Sequence, residues 1–527
     1  MFSSKAFAFV AAGVIGVTVI ACGRGTVPNP AIQKYGGSVT EAVITNAVAI
    51  QPLLTSDSAS TGFNTMVYAP LLKFNTNVEL QGELAEGYTV AADGSRITMT
   101  LRPGAQWSDG TPITSADVVF TWEKMMDPAV RFPYRALYDG IFSAIQGPDA
   151  STVVFSLKDQ CGPALITAGG FTPIPKHIFE SVDINENPHN FNPPVASGPW
   201  RLQEWVKDSH AVFVANDRYW AGRPNLDSYV LKTVPDSTAG YTQFRTGEVD
   251  VADIEPAQFE DTLRLPHANA FRYFTVGAAW DYIGFNLRDG RFQDVRVRRA
   301  FSHAIDRSRM IDTIRQGFSK PQYSIFPVTS PVFSDDVARY DFDPDRARQL
   351  LSEAGWVVGS GGLFEKSGEP FEVRLFSNTG NKRREQIATR TQEYLRQVGV
   401  KANIIIEEFG ALSNRVNKAN DFDLAVMGWV AGVDPNGQSN IWKKGSPQNG
   451  AGYDNPAVER LFQQGAAACS MDERRPHYQQ IQQILAEDAP YIFLWTNESA
   501  VGVNKRVEGP APGPLTLRWN ATEWSIN

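Results

Sequence analysis

The chain has 527 residues and a formal net charge of −8, with 43% hydrophobic and 20% charged residues. That length exceeds what one hydrophobic core usually serves, so two or three lobes are expected. The acidic balance, with Lys and Arg scattered, argues against a nucleic-acid partner, and beyond the N-terminal segment no apolar run is long enough to span a bilayer, which argues against a channel or permease.

At the N-terminus Lys5 precedes an apolar run from Ala6 to Ala21, shorter than the roughly 20 residues a spanning helix needs. Small residues at its end fit an export signal that is removed by cleavage. Ile20-Ala21-Cys22-Gly23 resembles the lipobox of bacterial lipoproteins. The resemblance implies a signal peptide over 1–21 and a diacylglycerol thioether on Cys22, whose two or more acyl chains would hold the protein stably on a membrane. An ordinary secretory signal with a chance cysteine is the competing reading. Gly, Pro, Asn and Thr from Arg24 to Tyr35 mark residues 22–37 as the lipidated N-terminus and a flexible tether.

Ile97, Met99 and Leu101 alternate as a strand, followed by turn residues at Arg102-Pro103-Gly104 and Trp107–Pro112. Thr114 with Asp117 forms a capping-box pattern opening a helix with Val118, Trp122, Met125 and Met126 on one side. Arg296, Arg298 and Arg299 are read as the solvated face of a helix whose inner face carries Val297, Phe301 and Ala304; His303 there reads as structural. Asp343 caps a helix with Pro344 at its first position, Ala347, Leu350, Leu351 and Ala354 as its stripe, and Gly355 at its end. Phe371–Ser377, Asn381–Val398 and Lys401–Glu408 then read as strand, helix and strand, a βαβ unit that implies a parallel sheet. Phe422–Val430 continues that sheet as a nearly unbroken apolar strand and runs into the loop Gly432–Gly437. Ligands of open α/β sheets bind beyond the strand ends, and Gly428 beside Trp429 would let another backbone approach; Trp429 as plain core is equally open.

Enzymatic signatures are missing: G-x-S-x-G, H-E-x-x-H, G-x-x-x-x-G-K-[ST] and G-x-G-x-x-G do not occur, and the six histidines are dispersed. Neither Glu407-Glu408 nor Asp335-Asp336 reads as an acid/base dyad, because adjacent strand residues face opposite ways. No catalytic residue, metal site or cofactor is therefore expected. Cys161 and Cys469 remain after the lipobox cysteine. An oxidising compartment permits their pairing, but sequence does not place their Cα atoms within the roughly 7 Å a disulfide allows, and two buried free thiols are the preferred reading.

Leu84–Gly94, the following strand, Trp107–Pro112 and Ala116–Phe120 together resemble the N-terminal signature of bacterial family 5 extracellular solute-binding proteins, the oligopeptide, dipeptide and nickel receptors of ABC importers. Further blocks agree in order: Ser197–Trp200, Asn216–Trp220, Gly247–Asp250, Ile283–Asn286, Val295–Arg298, Ala304–Arg307, Glu353–Trp356 and Asp488–Pro490. The resemblance covers residue 38 to the end. It implies a type II periplasmic-binding-protein-like α/β fold of two lobes with a hinge plus an additional domain. Lobe I would comprise 38–66, 195–279 and 494–527, the additional domain 67–194, and lobe II 280–493.

The resemblance also implies function. A lipid-anchored monomer on the extracytoplasmic face would capture peptides between its lobes and deliver them to membrane permease subunits driven by a separate ATPase, with no cofactor. Gly428, Trp429, Val430 and Ala431 correspond to the strand that pairs with the ligand backbone. Relatives commonly hold the ligand ammonium with an aspartate three residues after that tryptophan, where this chain has Gly432; the nearest carboxylate is Asp434. Asp57 and Ser58 match a segment facing the ligand, and Trp280, Tyr282 and Trp495 are further pocket candidates or packing residues. The same receptor role for a nickel chelate, an opine-like conjugate or an oligosaccharide is the alternative. Outside the family, a chaperone-like surface binding protein competes, and a secreted hydrolase is opposed by the missing motifs.

Overall fold

The computed structural model describes residues 35–527 apart from 45, 46, 56 and 160. The expected signal peptide, Cys22 and most of the tether lie outside the described residues. Among the described residues no helix is long and apolar enough to cross a membrane.

Seven strands form the largest sheet, in the order Ala268–Tyr273, Ser499–Asn504, Val251–Asp253, Ser38–Val43, Ser228–Thr233, His210–Ala215, Trp200–Val206. Ser38–Val43 runs parallel to both its neighbours, and the other pairs are antiparallel. Val43, Thr233, Asp253 and Tyr273 therefore end on one edge. The alternating strand Arg96–Leu101 lies inside a four-stranded antiparallel sheet, burying Ile97, Met99 and Leu101. The helix Ser115–Met126 follows, with Asp117 accepting the Thr114 backbone N–H at 2.9 Å. One core joins this unit to the large sheet, packing Ile97 and Phe155 with Val39, Phe213 and Tyr229.

The second large sheet has six strands, ordered Ser319–Pro321, Tyr491–Asn497, Ala279–Phe285, Leu424–Val430, Glu372–Asn378, Lys401–Glu407. Its βαβ unit is the one the sequence spells. Asn381 caps the helix Lys382–Gln397, and the flanking strands pair in parallel from Glu372 with Lys401 to Asn378 with Glu407. Leu424 to Met427 are buried whichever face they point to, so this central strand shows no polar alternation. Separate cores cover the two faces: Ile283, Leu375 and Val426 lie in one, Trp280, Tyr282 and Met427 in the other.

Two sequence expectations are corrected. Arg298 is buried, donating to the carbonyls of Asp488, Phe292 and Gln293, while Arg299 holds that of Glu487. Two of the three arginines thus satisfy carbonyls at or near the end of the helix Met471–Asp488 instead of facing solvent. Cys161 and Cys469, read as free thiols, form a disulfide with Cα atoms 4.8 Å apart. The fold brings a helix start and an interhelical turn together across a separation of 308 residues.

Candidate functional site

The Leu424–Val430 strand outruns its parallel neighbour. Pairing with Glu372–Asn378 is confined to Leu424 and Ala425, whereas the other edge pairs with Ala279–Phe285 through Val430. From Met427 onward one edge is thus free to accept an extended chain, the geometry of strand addition. Val430 is 69% exposed at the tip, and Trp429 is half-buried, stacked parallel to Tyr282 with ring centroids 6.5 Å apart. Ala431 is buried and returns its N–H to the Ala278 carbonyl at 3.3 Å. A Cβ on Gly428 would lie 2.8 Å from the Trp280 carbonyl oxygen and 3.2 Å from Arg384 Nη2. The glycine is thus required by its own sheet and by an arginine, not by an approaching ligand alone.

That arginine belongs to a basic group at the strand ends which the sequence reading missed. Asp281, 1% exposed, accepts from Trp495 Nε1 at 3.1 Å and Asn497 Nδ2 at 3.0 Å and pairs with Arg383 Nε at 3.0 Å. Arg384 donates to Asn378 Oδ1 at 3.0 Å, and among the described residues no carboxylate lies within ion-pair distance of it. Burial lowers the pKa of Arg384 and of Arg315, with Arg383 adding to the effect and Asp281 opposing it in both. One buried carboxylate is thus surrounded by three guanidinium groups, and Arg384 carries charge available to an anion. The signal that could have found it is the βαβ pattern taken together with the strand-end rule, which directs attention to the start of the helix Lys382–Gln397.

Three pocket candidates are packing groups. Trp280 and Trp495 are fully buried and Tyr282 is 3% exposed. Trp280 packs on Tyr282 and Phe493, and Tyr282 stacks on Tyr491 at 4.0 Å, all under the helices on that face. Asp434 is also committed elsewhere. Its Oδ1 accepts from the Asn436 N–H at 2.8 Å and from Arg474 Nη2 at 2.5 Å, and Arg474 is 1% exposed. It neutralises a buried guanidinium and caps a short helical turn, so it is not a free anchor for a ligand ammonium.

On the large sheet, Asp57 caps the helix Ser58–Val67 by accepting from the Ser60 N–H at 2.8 Å. Ser58 is the first residue of that helix. Glu41 is held by Arg518 at 2.7 and 2.8 Å and by the Tyr229 hydroxyl at 2.6 Å. Asp253, at the strand end on the same sheet face, is exposed, and its side chain has neither hydrogen bond nor ion pair among the described residues. Protein surrounding this carboxyl, then the charges of Glu41 and Glu255 against that of Arg518, push its pKa up to about 6. Exposure together with dense surroundings is what a carboxyl at the floor of a cleft experiences. Two surface hollows of about 290 and 340 Å³, one lined by Tyr323 and Arg339 and the other by Phe191 and Trp205, contain none of these residues.

Comparison with known proteins agrees with this architecture. The sequence model of bacterial extracellular solute-binding proteins, family 5 (middle), matches residues 79–451. The oligopeptide-binding protein AppA of Bacillus subtilis (strain 168) is 29% identical over 97% of this chain and 96% of its own. The AppA structure in complex with a nonapeptide superposes with a TM-score of 0.75 at 27% identity, covering 94% of this chain and 99% of that one. The ABC transporter substrate-binding protein CtaP of Listeria monocytogenes superposes at 0.84 with 26% identity, covering 94% and 100%. A free strand edge in a mixed α/β sheet, no enzymatic signature in the sequence, and a family match across most of its length lead to one conclusion: the chain belongs to the bacterial extracellular solute-binding proteins of family 5.

Proposed function

We propose that this protein is the peptide receptor of an ABC importer, a clamp that closes on an extended peptide and presents it to membrane permease subunits driven by a separate ATPase. The unpaired edge from Met427 to Val430 is the observation that carries this reading, because an extended peptide completes the ladder through main-chain hydrogen bonds that any sequence can offer. The relative AppA, solved with a nonapeptide, supports it. Lobe I (38–66, 195–279 and the chain from Ser499 onward) and the additional domain (67–194) form one jaw and lobe II the other. The last boundary moves from the expected 494 to the crossing at Asn497–Ser499, because Tyr491–Asn497 pairs within the six-stranded sheet, and ligand contacts from both jaws favour the closed state. Cys22 carries the lipid that keeps the receptor, as a monomer, at the membrane.

With Asp434 engaged and Gly432 at the expected anchor position, Asp253 receives the ligand ammonium and Arg384 its carboxylate. Asp57 and Ser58, at the start of the helix Ser58–Val67, border the peptide from the large-sheet jaw. Native mass spectrometry of the protein purified without denaturant tests the reading: a ladder of masses fitting mixed short peptides is expected. One non-peptide mass would move the assignment to a chelate, conjugate or sugar.

A further inference from the structure

The backbone passes between the two large sheets at Tyr273 to Ala279 and again at Asn497 to Ser499. These crossings lie side by side, with Asn497 Nδ2 donating to the Ala279 carbonyl at 3.1 Å, which suits a hinge. The disulfide adds a third covalent connection between the same two bodies. Cys161 opens the helix Cys161–Gly169, buried in the core shared by the seven- and four-stranded sheets. Cys469 lies between the helices Pro456–Ala467 and Met471–Asp488, which pack on the six-stranded sheet over Trp280 and Tyr282.

The joint is tight and leads toward the ligand strand. A Cβ on Gly162 would meet Arg474 Nε at 2.5 Å and the Ala468 carbonyl at 2.7 Å, so only glycine fits beside Cys161. Arg474 holds the Gly465 carbonyl at 2.8 Å and Asp434, in the loop after the Trp429 strand, at 2.5 Å. The bond therefore ties the large-sheet body to the helix pair that fixes this loop. While that tie is intact, any opening of the hinge that would separate Cys161 from Cys469 is blocked.

We propose that Cys161–Cys469 is a redox clasp on the ligand cleft: the disulfide holds the jaws together, and its reduction frees them to open and exchange ligand. The inference rests on the clamp reading above. A dithiol supplies two electrons and two protons; the S–S bond breaks, Cys161 and Cys469 become thiols, and the dithiol is oxidised to its own disulfide.

The test treats the purified protein with dithiothreitol until mass spectrometry shows the gain of two hydrogens, and compares it with the untreated protein by small-angle X-ray scattering. The radius of gyration is expected to rise on reduction and to return on reoxidation. Loss of co-purified peptide on dilution, followed by native mass spectrometry, should accelerate roughly thirtyfold, the lower range of what a long-loop cross-link stabilises. The double variant Cys161→Ser/Cys469→Ser should behave as the reduced protein with or without dithiothreitol. Should it not fold, reduction of the folded wild-type chain carries the test alone. An unchanged radius with confirmed bond cleavage overturns the clasp, even if the melting temperature falls, because the bond is then only a staple. A redox-responsive radius with no peptide bound would overturn the peptide reading and leave the clasp standing.

Discussion

Asp253→Asn should raise the stability of the ligand-free protein and lower its affinity for free-amine peptides. The folded state raises this carboxyl from 3.8 to about 6, so ionising it costs more in the protein than in the unfolded chain. At 1.36 kcal/mol per tenfold change, that rise corresponds to roughly 3 kcal/mol, which solvent screening of an exposed carboxyl reduces to about 1 kcal/mol. Between pH 3.8 and about 6 the folded state binds more protons at this site than the unfolded state, so its contribution to stability falls as pH rises and stays unfavourable above 6. Wild type and variant should therefore unfold in urea at similar midpoints near pH 4, with the variant more stable at pH 7. Isothermal titration with a nonapeptide should show the opposite trend: loss of a charge-assisted hydrogen bond weakens binding by about 1.5 to 3 kcal/mol, and N-acetylated peptide should bind both proteins alike. Unchanged affinity for the free-amine peptide together with lower stability at pH 7 would refute the assignment.

Arg384→Gln should erase any preference for a free C-terminal carboxylate over a C-terminal amide, a change of about 1.5 kcal/mol or more in paired titrations, whereas an equal loss for both ligands would make it a structural residue. Gly428→Ala should cost about 1–3 kcal/mol in urea unfolding, because its methyl meets the Trp280 carbonyl and Arg384; a neutral result would show that the strands yield there. Asp434→Leu should destabilise by about 3–5 kcal/mol by leaving the buried Arg474 without its counter-charge, while leaving the ratio of affinities for free and acetylated peptides unchanged; a shift in that ratio would restore Asp434 as an anchor. Cys22→Ala should move the protein from the membrane to the soluble fraction, and continued sedimentation with membranes would contradict the lipid anchor.

Local order was readable because the sequence punctuates it. Asp343 caps its helix as its position suggested, the helix read from Asn381 begins there with Asn381 as its cap, and the apolar run through Leu424–Met427 marked a strand, which the structure buries throughout. Long-range chemistry was not. Asp434 looked available because its partner Arg474 lies forty residues on, inside a polar-looking helix that gives no hint of a 1% exposed guanidinium. Trp280, Tyr282 and Trp495 stand on strands that reach the cleft, but their rings point beneath covering helices or into the sheet's core, and only the packing of those helices decides that. Arg298 misled in the same way, since its acceptors are carbonyls, which a sequence does not display as partners.

The misplaced aspartate explains why the site is organised as it is. A carboxylate beside the Trp429 strand would compete with Asp281, which pairs with Arg383 and whose charge Arg384 also feels. With Gly432 in the loop and Asp434 turned to Arg474, Arg384 is left with no carboxylate within ion-pair distance among the described residues. The unpaired negative charge stands instead on the large sheet at Asp253, whose neighbour Glu41 is neutralised by Arg518. In the proposed clamp Asp253 and Arg384 attract each other only weakly through water, but an extended peptide bound between them would bring a positive and a negative terminus into direct contact. The ligand would then supply what the protein withholds from itself, so the energy of closing depends on the bound peptide, as a receptor that must signal occupancy requires.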